Sequence, residues 1–230
     1  MPILKIVSVV PARFQKNYYS ILIEGRKTVR LHEQVLAEYP QIKENAEIAE
    51  ADWNAILDRA ERQRALEYSY LLLSYSPRSQ KALTEKLTRK GFQHETIQQT
   101  ISDLKEKRLL DDNALARAII ESKLKSSAPV GEAKVAMDLA RKGVHSEIIA
   151  QAFSEVKAEI DEPILDEDDR AYIAIVKRAK QVKMTDERMF SRRLFEFLVR
   201  RGFSFDSANK ALHRFKREHK IESETDDFSE

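Results

Sequence analysis

Leu87-Thr88-Arg89-Lys90-Gly91-Phe92, Leu139-Ala140-Arg141-Lys142-Gly143-Val144 and Leu198-Val199-Arg200-Arg201-Gly202-Phe203 are three versions of one phrase. In each, a leucine stands four residues ahead of a glycine, a basic pair directly before it and an apolar residue directly after it. The glycines are 52 and 59 residues apart, a longer period than that of most short solenoid repeats. Agreement continues in register on both sides. Four residues before the leucines lie Leu83, Val135 and Leu194; ten after them lie Ile97, Ile149 and Ala208. Fourteen after come Ile101, Phe153 and Leu212, and seventeen after come Leu104, Val156 and Phe215. Steps of four and three trace one face of a helix. Each copy therefore reads as a helix closed by a glycine turn and followed by a second amphipathic helix.

The phrase has a local cause. A helix often closes on a residue in the left-handed conformation, where glycine avoids the Cβ clash, and an apolar residue after it packs back on the last turn. Lysine or arginine in that turn complements the negative end of the helix dipole. The basic pairs thus have a capping role before any binding role is invoked.

Each copy also has room for an upstream helix. In the first, it runs from about Asp52 or Glu61 to Ser74 with Leu66, Tyr70 and Leu73 on one face, and Ser79 starts the next helix after the break at Pro77. In the second, Asp111-Asp112 opens a helix through Leu115, Ile119 and Ile120 to about Leu124. Ser126 to Gly131 then separates it from Glu132–Lys142. In the third, Asp168-Asp169 opens a helix carrying Tyr172, Ile173, Ile175 and Val176, and Thr185-Asp186 opens the next. The expected fold is mainly α: an elongated array of three tandem three-helix repeats over 51–110, 111–160 and 161–221. Before them, residues 1–50 read as a β-hairpin or small sheet, from the β-branched and aromatic runs at Ile3–Val10 and Tyr18–Glu24 and the short Val29–Leu31. Gln34–Tyr39 reads as one short helix. An acidic tail at 222–230, almost without apolar residues, is expected to be disordered.

Composition narrows the function classes. The 230 residues include no cysteine, which excludes disulfides, thiolate metal sites and cysteine nucleophiles and fits a reducing compartment. No uncharged apolar run approaches the roughly 18 residues needed to span a bilayer, and no basic region precedes the apolar start, so a cytoplasmic protein without membrane attachment is expected. A net charge of +2 hides an asymmetry: Val176–Lys220 holds fourteen Lys or Arg against five acids, and Glu155–Asp169 holds eight acids against one lysine. Solvated helix faces account for such runs in most proteins, but a block this basic also fits a polyanionic or acidic partner.

The residues Gly91, Leu109-Leu110-Asp111-Asp112, Leu115-Ala116, Gly131 and Leu139 to Val144 together resemble the RecX regulatory proteins of bacteria. In that family an alanine-rich first helix precedes a serine-started helix ending in a Leu-x-x-Lys-Gly turn, which here looks like Ala65–Ser74 and then Ser79–Gly91. The resemblance covers about Arg64 to Lys220 and is most specific in the middle repeat. One departure is Ala82, which stands where the family usually has the glutamate that completes a capping box, so Ser79 is expected to cap alone. The resemblance implies a non-enzymatic modulator that docks on the RecA–DNA filament and restrains its growth, ATP hydrolysis, strand exchange and coprotease action; a monomer is expected. The helical repeats and regularly placed cations suit that role, meeting acidic protein surface or phosphate.

Chemistry is sparse in the sequence. There is no glycine-rich phosphate loop, and His32, His94, His145, His213 and His219 form no metal-spaced pair and read as surface histidines. Asp111-Asp112 and Asp168-Asp169 stand at helix starts, where aspartate accepts backbone N–H bonds, so they read as caps rather than as an acid–base pair. No catalytic residue, metal or cofactor is expected. The candidate partner-binding residues are the basic pairs Arg89/Lys90, Arg141/Lys142 and Arg200/Arg201, with Arg192, Arg193, Arg214 and Arg217 from the basic C-terminal repeat. Phe190, Phe195, Phe197, Phe203 and Phe215 alternate with those arginines. Stacking on nucleic-acid bases is one reading, and core packing at helical spacing is the favoured one. Direct DNA contact through this repeat is the second functional reading. A helix-turn-helix reader fits less well, because the basic pairs close helices whereas such readers contact bases from a recognition-helix N-terminus.

Overall fold

The structure, a computed structural model, describes residues 2–159, 166–182 and 186–219. The expected disordered tail at 222–230 and the helix start at Thr185 lie outside those residues. The chain divides between residues 110 and 111 into two compact units.

The first unit opens with β1 (Ile3–Pro11), β2 (Tyr18–Ile23), β3 (Val29–His32), α1 (Glu33–Glu38) and β4 (Glu47–Ala49). The strands form one antiparallel sheet in the order β3-β2-β1-β4, with a bulge in β1 between Ile6 and Ser8. The sequence reading finds β1 to β3 and α1 but misses β4. This strand has three residues and no alternating pattern of its own; pairing with Ile3–Lys5 creates it. One sheet face buries Ile6, Ile21, Ile23 and Leu31 against Val35, Ile42 and the start of α2 (Glu50–Tyr75), where Trp53, Ile56 and Ala60 point inward.

At about 1.5 Å per residue, the 26 residues of α2 span about 39 Å, enough to serve two cores in succession. Its second half packs with α3 (Gln80–Lys90) and α4 (His94–Glu106) around Ala65, Leu83, Leu87, Ile97, Ile101, Leu104 and Leu110. Here the predicted face needs correcting, because Tyr70 is exposed. The inward positions are Ala65 and Ser69, and the Ser69 hydroxyl is satisfied by donating to the Ala65 carbonyl at 2.7 Å. Tyr70, a further 100° round the helix, accepts instead from Lys107 Nζ at 3.0 Å.

The second unit holds α5 (Asp112–Leu124), α6 (Glu132–Arg141) and α7 (Ser146–Glu159), then α8 (Glu167–Ala179), α9 (Glu187–Arg200) and α10 (Phe205–Glu218). Each set of three has its own core.

All three repeated phrases close their helices identically. Gly91, Gly143 and Gly202 have φ of 91°, 89° and 79°. The glycine amides donate to Thr88, Ala140 and Val199, and the next residue donates five back to Leu87, Leu139 and Leu198 at 3.1–3.3 Å. This paired bonding satisfies carbonyls the helix end would leave open. The three leucines are fully buried, each contributing roughly 1.5–3 kcal/mol of transfer free energy.

The third helix of each set buries the expected face and adds one position to it. Thirteen residues after the leucine, Thr100, Ala152 and Ala211 are all nearly inaccessible; at the fourteenth Ile101 is buried as expected, while Phe153 and Leu212 are only half-buried. In every set the first and third helices make the most extensive packing pair. Small residues let two helices approach closely, and that need outranks hydrophobicity at this position.

Candidate partner-binding surface

Helix starts are anchored by side chains whose identity the sequence discloses only in part. Ser79 Oγ accepts from Ala82 N at 3.1 Å, so the lone serine cap forms without the glutamate. Asp111 accepts from the amides of Asn113 and Ala114. For α4, Gln93 contributes no side-chain cap; Glu61 of α2 accepts from Gln93 N at 3.3 Å and from the Thr96 hydroxyl at 2.8 Å.

Asp168 and Asp169 do not cap α8. Asp166 does, accepting from Asp169 N, and the pair lies in the first turn with its carboxylates turned to α10. Asp168 accepts from Ser207 Oγ and pairs with Lys210 at 3.1 Å; Asp169 pairs with Arg214 at 2.7 Å. The Ser207 bond, then Lys210, holds the Asp168 carboxyl below its ordinary range against an opposing effect of burial. Both carboxylates are thus paired within the fold, and Asp168 borders an open pocket whose other charged neighbours are Lys210, Arg214 and Arg217.

The basic pairs occupy different environments. Arg89 is exposed and pairs with Glu85 one turn back, while Lys90 lies 5.4 Å from the ring of Tyr68. Arg141 and Lys142 are exposed, Arg141 lying 3.9 Å from Asp138. Arg200 is exposed. Arg201 is half-buried: its Nη1 donates to the Pro129 carbonyl at 2.7 Å and its guanidinium lies 5.2 Å from the Phe197 ring. Arg192 pairs with Glu196, and Arg193 and Arg217 are exposed. Arg214 sits 4.1 Å over Tyr172 and holds both Glu218 and Asp169; those carboxylates, Glu218 first, raise its pKa further above an already high value. Within the second unit Arg201 is therefore drawn into the fold and Arg214, still 43% exposed, is held by two carboxylates, while Arg141, Arg192, Arg193, Arg200 and Arg217 stay accessible.

The phenylalanines follow the core reading. Phe190, Phe203 and Phe215 are buried, and Phe195 and Phe197 pack against the same core. Phe205, which the sequence reading passes over, is 67% exposed and edge-on to Phe195 at 5.3 Å. The surface reading of the histidines fails at His32, whose Nδ1 caps α1 by accepting from Gln34 N while the ring meets Tyr18 edge-on.

A further set of residues joins the second and third repeats. The Gly131 amide donates to the Arg201 carbonyl at 2.9 Å, and Lys177 Nζ donates to the Ser127 carbonyl. Arg170, 3% exposed, places Nη2 3.0 Å from Glu132 Oε1, whose other oxygen takes Lys157 Nζ at 2.8 Å. Read as a separator, the segment Ser126–Gly131 becomes part of a junction. No single-residue signal reveals this, because a buried arginine inside Asp168-Asp169-Arg170 looks like a solvated charge.

Among the described residues no group of three or more His, Cys, Asp or Glu could hold a metal ion, and no helix is long and apolar enough to cross a membrane.

Comparison with known proteins gives a consistent result. The model of the RecX first three-helix domain matches residues 65–104, and that of the RecX third three-helix domain matches 166–212. The regulatory protein RecX of Clostridium perfringens (strain 13 / Type A) is 33% identical over 139 residues, 60% of this chain and 61% of that relative, so the match spans about three fifths of the relative's length. The regulatory protein RecX of Chlorobium limicola is 31% identical over 153 residues, 66% of this chain and 90% of the relative. A crystal structure of a regulatory protein RecX superposes with a TM-score of 0.65 at 21% identity, covering 90% of this chain and 97% of that one. RecX from Lactobacillus salivarius gives 0.58 at 18%, covering 68% and 97%. At these identities the structural likenesses carry the fold alone.

Proposed function

We propose, from the premise that the chain belongs to the RecX family of regulatory proteins, that it restrains a RecA-type recombinase by docking on the recombinase–DNA filament. It does so without chemistry of its own. The observation that carries this reading is the threefold recurrence of one helix-closing turn with an accessible cation beside it: Arg89, Arg141 and Arg200. Three equivalent contacts suit a partner that is itself repetitive, and accessible cations suit its acidic surface or phosphates. Arg192, Arg193, Arg217, Lys90 and Lys142 extend the candidate surface; Arg201 and Arg214 contribute through the fold that presents it.

The test is DNA-dependent ATP turnover by RecA with the purified full chain added at substoichiometric amounts. Turnover is expected to fall with added protein, and Arg89→Ala, Arg141→Ala and Arg200→Ala combined are expected to raise the concentration needed. Turnover unchanged across a wide concentration range overturns the reading. The alternative of DNA as primary partner through the C-terminal repeat loses support from Arg201 and Arg214, which are held by the Pro129 carbonyl and by Asp169 and Glu218.

A further inference from the structure

Residues 2–32 carry Lys5, Arg13, Lys16, Arg26, Lys27 and Arg30 against one acid, Glu24. This excess belongs to the N-terminal sheet, outside the helical repeats. Arg26 is taken up by Glu50. Arg13, Lys16 and Arg30, by contrast, are exposed and have no carboxylate partner among the described residues. They are gathered at one place. Arg13 and Lys16 lie in the connection between β1 and β2, and Arg30 reaches it from β3, where its Nη1 donates to Gln15 Oε1 at 3.2 Å.

Phe14 sits in the midst of these cations and is 87% exposed, the most exposed large apolar side chain described. The Arg13 guanidinium lies 5.9 Å from its ring centroid. No core requires this phenylalanine. It stands beyond the last cross-strand pair, Pro11 with Tyr19, at the far end of the hairpin from the pair Ile6 with Ile23. The outer sheet face behind it continues as a cross-strand row of Val10, Ser20 and Arg30.

We infer that this hairpin tip is a contact for a single-stranded polynucleotide, with Phe14 stacking on an unpaired base and Arg13, Lys16 and Arg30 meeting the flanking phosphates. A protein partner would have to set an apolar pocket for the ring among the carboxylates that meet the cations. A single strand supplies both, since every base has a π face and phosphates recur along the backbone. A duplex offers phosphates with its base faces covered by stacking, so Phe14 distinguishes the two forms. The inference stands apart from recombinase regulation, and its test contains no recombinase, so either can fail alone.

Fluorescence anisotropy of a labelled oligo-dT and a labelled oligo-rU, titrated with the full chain over a series of salt concentrations, tests it. Phe14→Ala is expected to weaken binding roughly five- to 150-fold, the range for loss of one stacked base, with the salt dependence unchanged. Arg13→Gln with Lys16→Gln is expected to reduce the slope of log affinity against log salt by about 1.4, at about 0.7 per phosphate contact. The two probes identify the sugar preferred, and hairpin-dependent binding of either supports the site. These exposed positions leave the fold intact, which the circular dichroism melt of each variant verifies. Equal affinity of wild type and Phe14→Ala overturns the inference, as does binding of a blunt duplex as tightly as the single strand. Oligonucleotide binding and salt dependence left unchanged by Arg13→Gln with Lys16→Gln also overturn it.

Discussion

Gly131 and Gly202 meet backbone to backbone. A Cβ at Gly131 would stand 1.9 Å from the Gly202 carbonyl oxygen, and one at Gly202 would stand 2.4 Å from the Lys134 amide nitrogen. The first turn of α6 is thus seated directly on the turn that closes α9, and the glycine of the repeated phrase serves a second purpose in its third copy. At Gly91 a Cβ would meet nothing within 4 Å.

That contrast predicts different costs for the same substitution. Gly131 has an ordinary φ of −72°, so Gly131→Ala acts through contact alone. Because the opposing atoms are backbone, the junction must open, at about 3 kcal/mol. Gly91→Ala meets only the left-handed penalty, about 1 kcal/mol. Urea midpoints of the two variants should rank in that order; equal midpoints would show that the junction yields freely.

Arg200 and Arg201, adjacent in sequence, should separate in their effects. Arg201→Ala removes the bond to the Pro129 carbonyl and is expected to lower stability by about 1.5–3 kcal/mol, the range for a charge-assisted bond. Arg200→Ala should leave stability within about 0.5 kcal/mol and weaken partner binding. Chemical denaturation paired with the ATP-turnover assay checks both. A double substitution at these sites confounds the two effects, contrary to what the pair suggests when read as two surface cations.

The buried Arg170 makes a sharper test of the same junction. Its Nε and Nη1 have no hydrogen-bond partner among the described residues, and its contact with Glu132 carries the compensation for its charge. Glu132→Ala should therefore cost about 3 kcal/mol, by stranding a buried cation, whereas Arg170→Met should cost less than about 1 kcal/mol or stabilise. A double-mutant cycle on unfolding free energy measures the coupling, and a coupling near zero would contradict the account.

Tyr18 links stability to alkaline pH. Burial first, and then the bond its hydroxyl donates to Glu67, push its pKa well above the ordinary tyrosine value. A folded value above the unfolded one leaves the contribution whole below about pH 10, and it is lost as pH rises beyond that. Tyr18→Phe should be less stable than wild type at pH 8, with the gap narrowing between about pH 10 and 11. Urea midpoints over that range provide the measurement; a constant gap would remove Tyr18 from the alkaline response.

Much of the helical architecture was legible because its causes are local. A leucine, a basic pair and a glycine in sequence are enough to close a helix, and the closure bonds at Leu87, Leu139 and Leu198 are the same in each copy. A comparable turn without glycine bears no such sequence mark: Arg108, at φ 54°, closes α4 with Leu109 N donating to the Leu104 carbonyl. Leu110 just beyond it is buried in the core of the first three-helix set, a tertiary contact with no local mark.

The candidate surface was legible only as a set of cations. Whether a cation faces solvent depends on what the fold brings beside it: Asp169 and Glu218 to Arg214, the Pro129 carbonyl to Arg201, Glu132 to Arg170. Each of those partners except Glu218 lies between 38 and 72 residues away in the chain.

The sequence by itself determined that there are helical repeats, where three of the helices end, and that a β segment precedes them, because helix periodicity and glycine's freedom at positive φ act within a few residues. Only the tertiary structure decided that small residues line the third helices, that two glycines 71 positions apart share one contact, and which arginines are left for a partner. Those outcomes depend on close packing and charge compensation between distant segments, and neither has a period that a sequence can display.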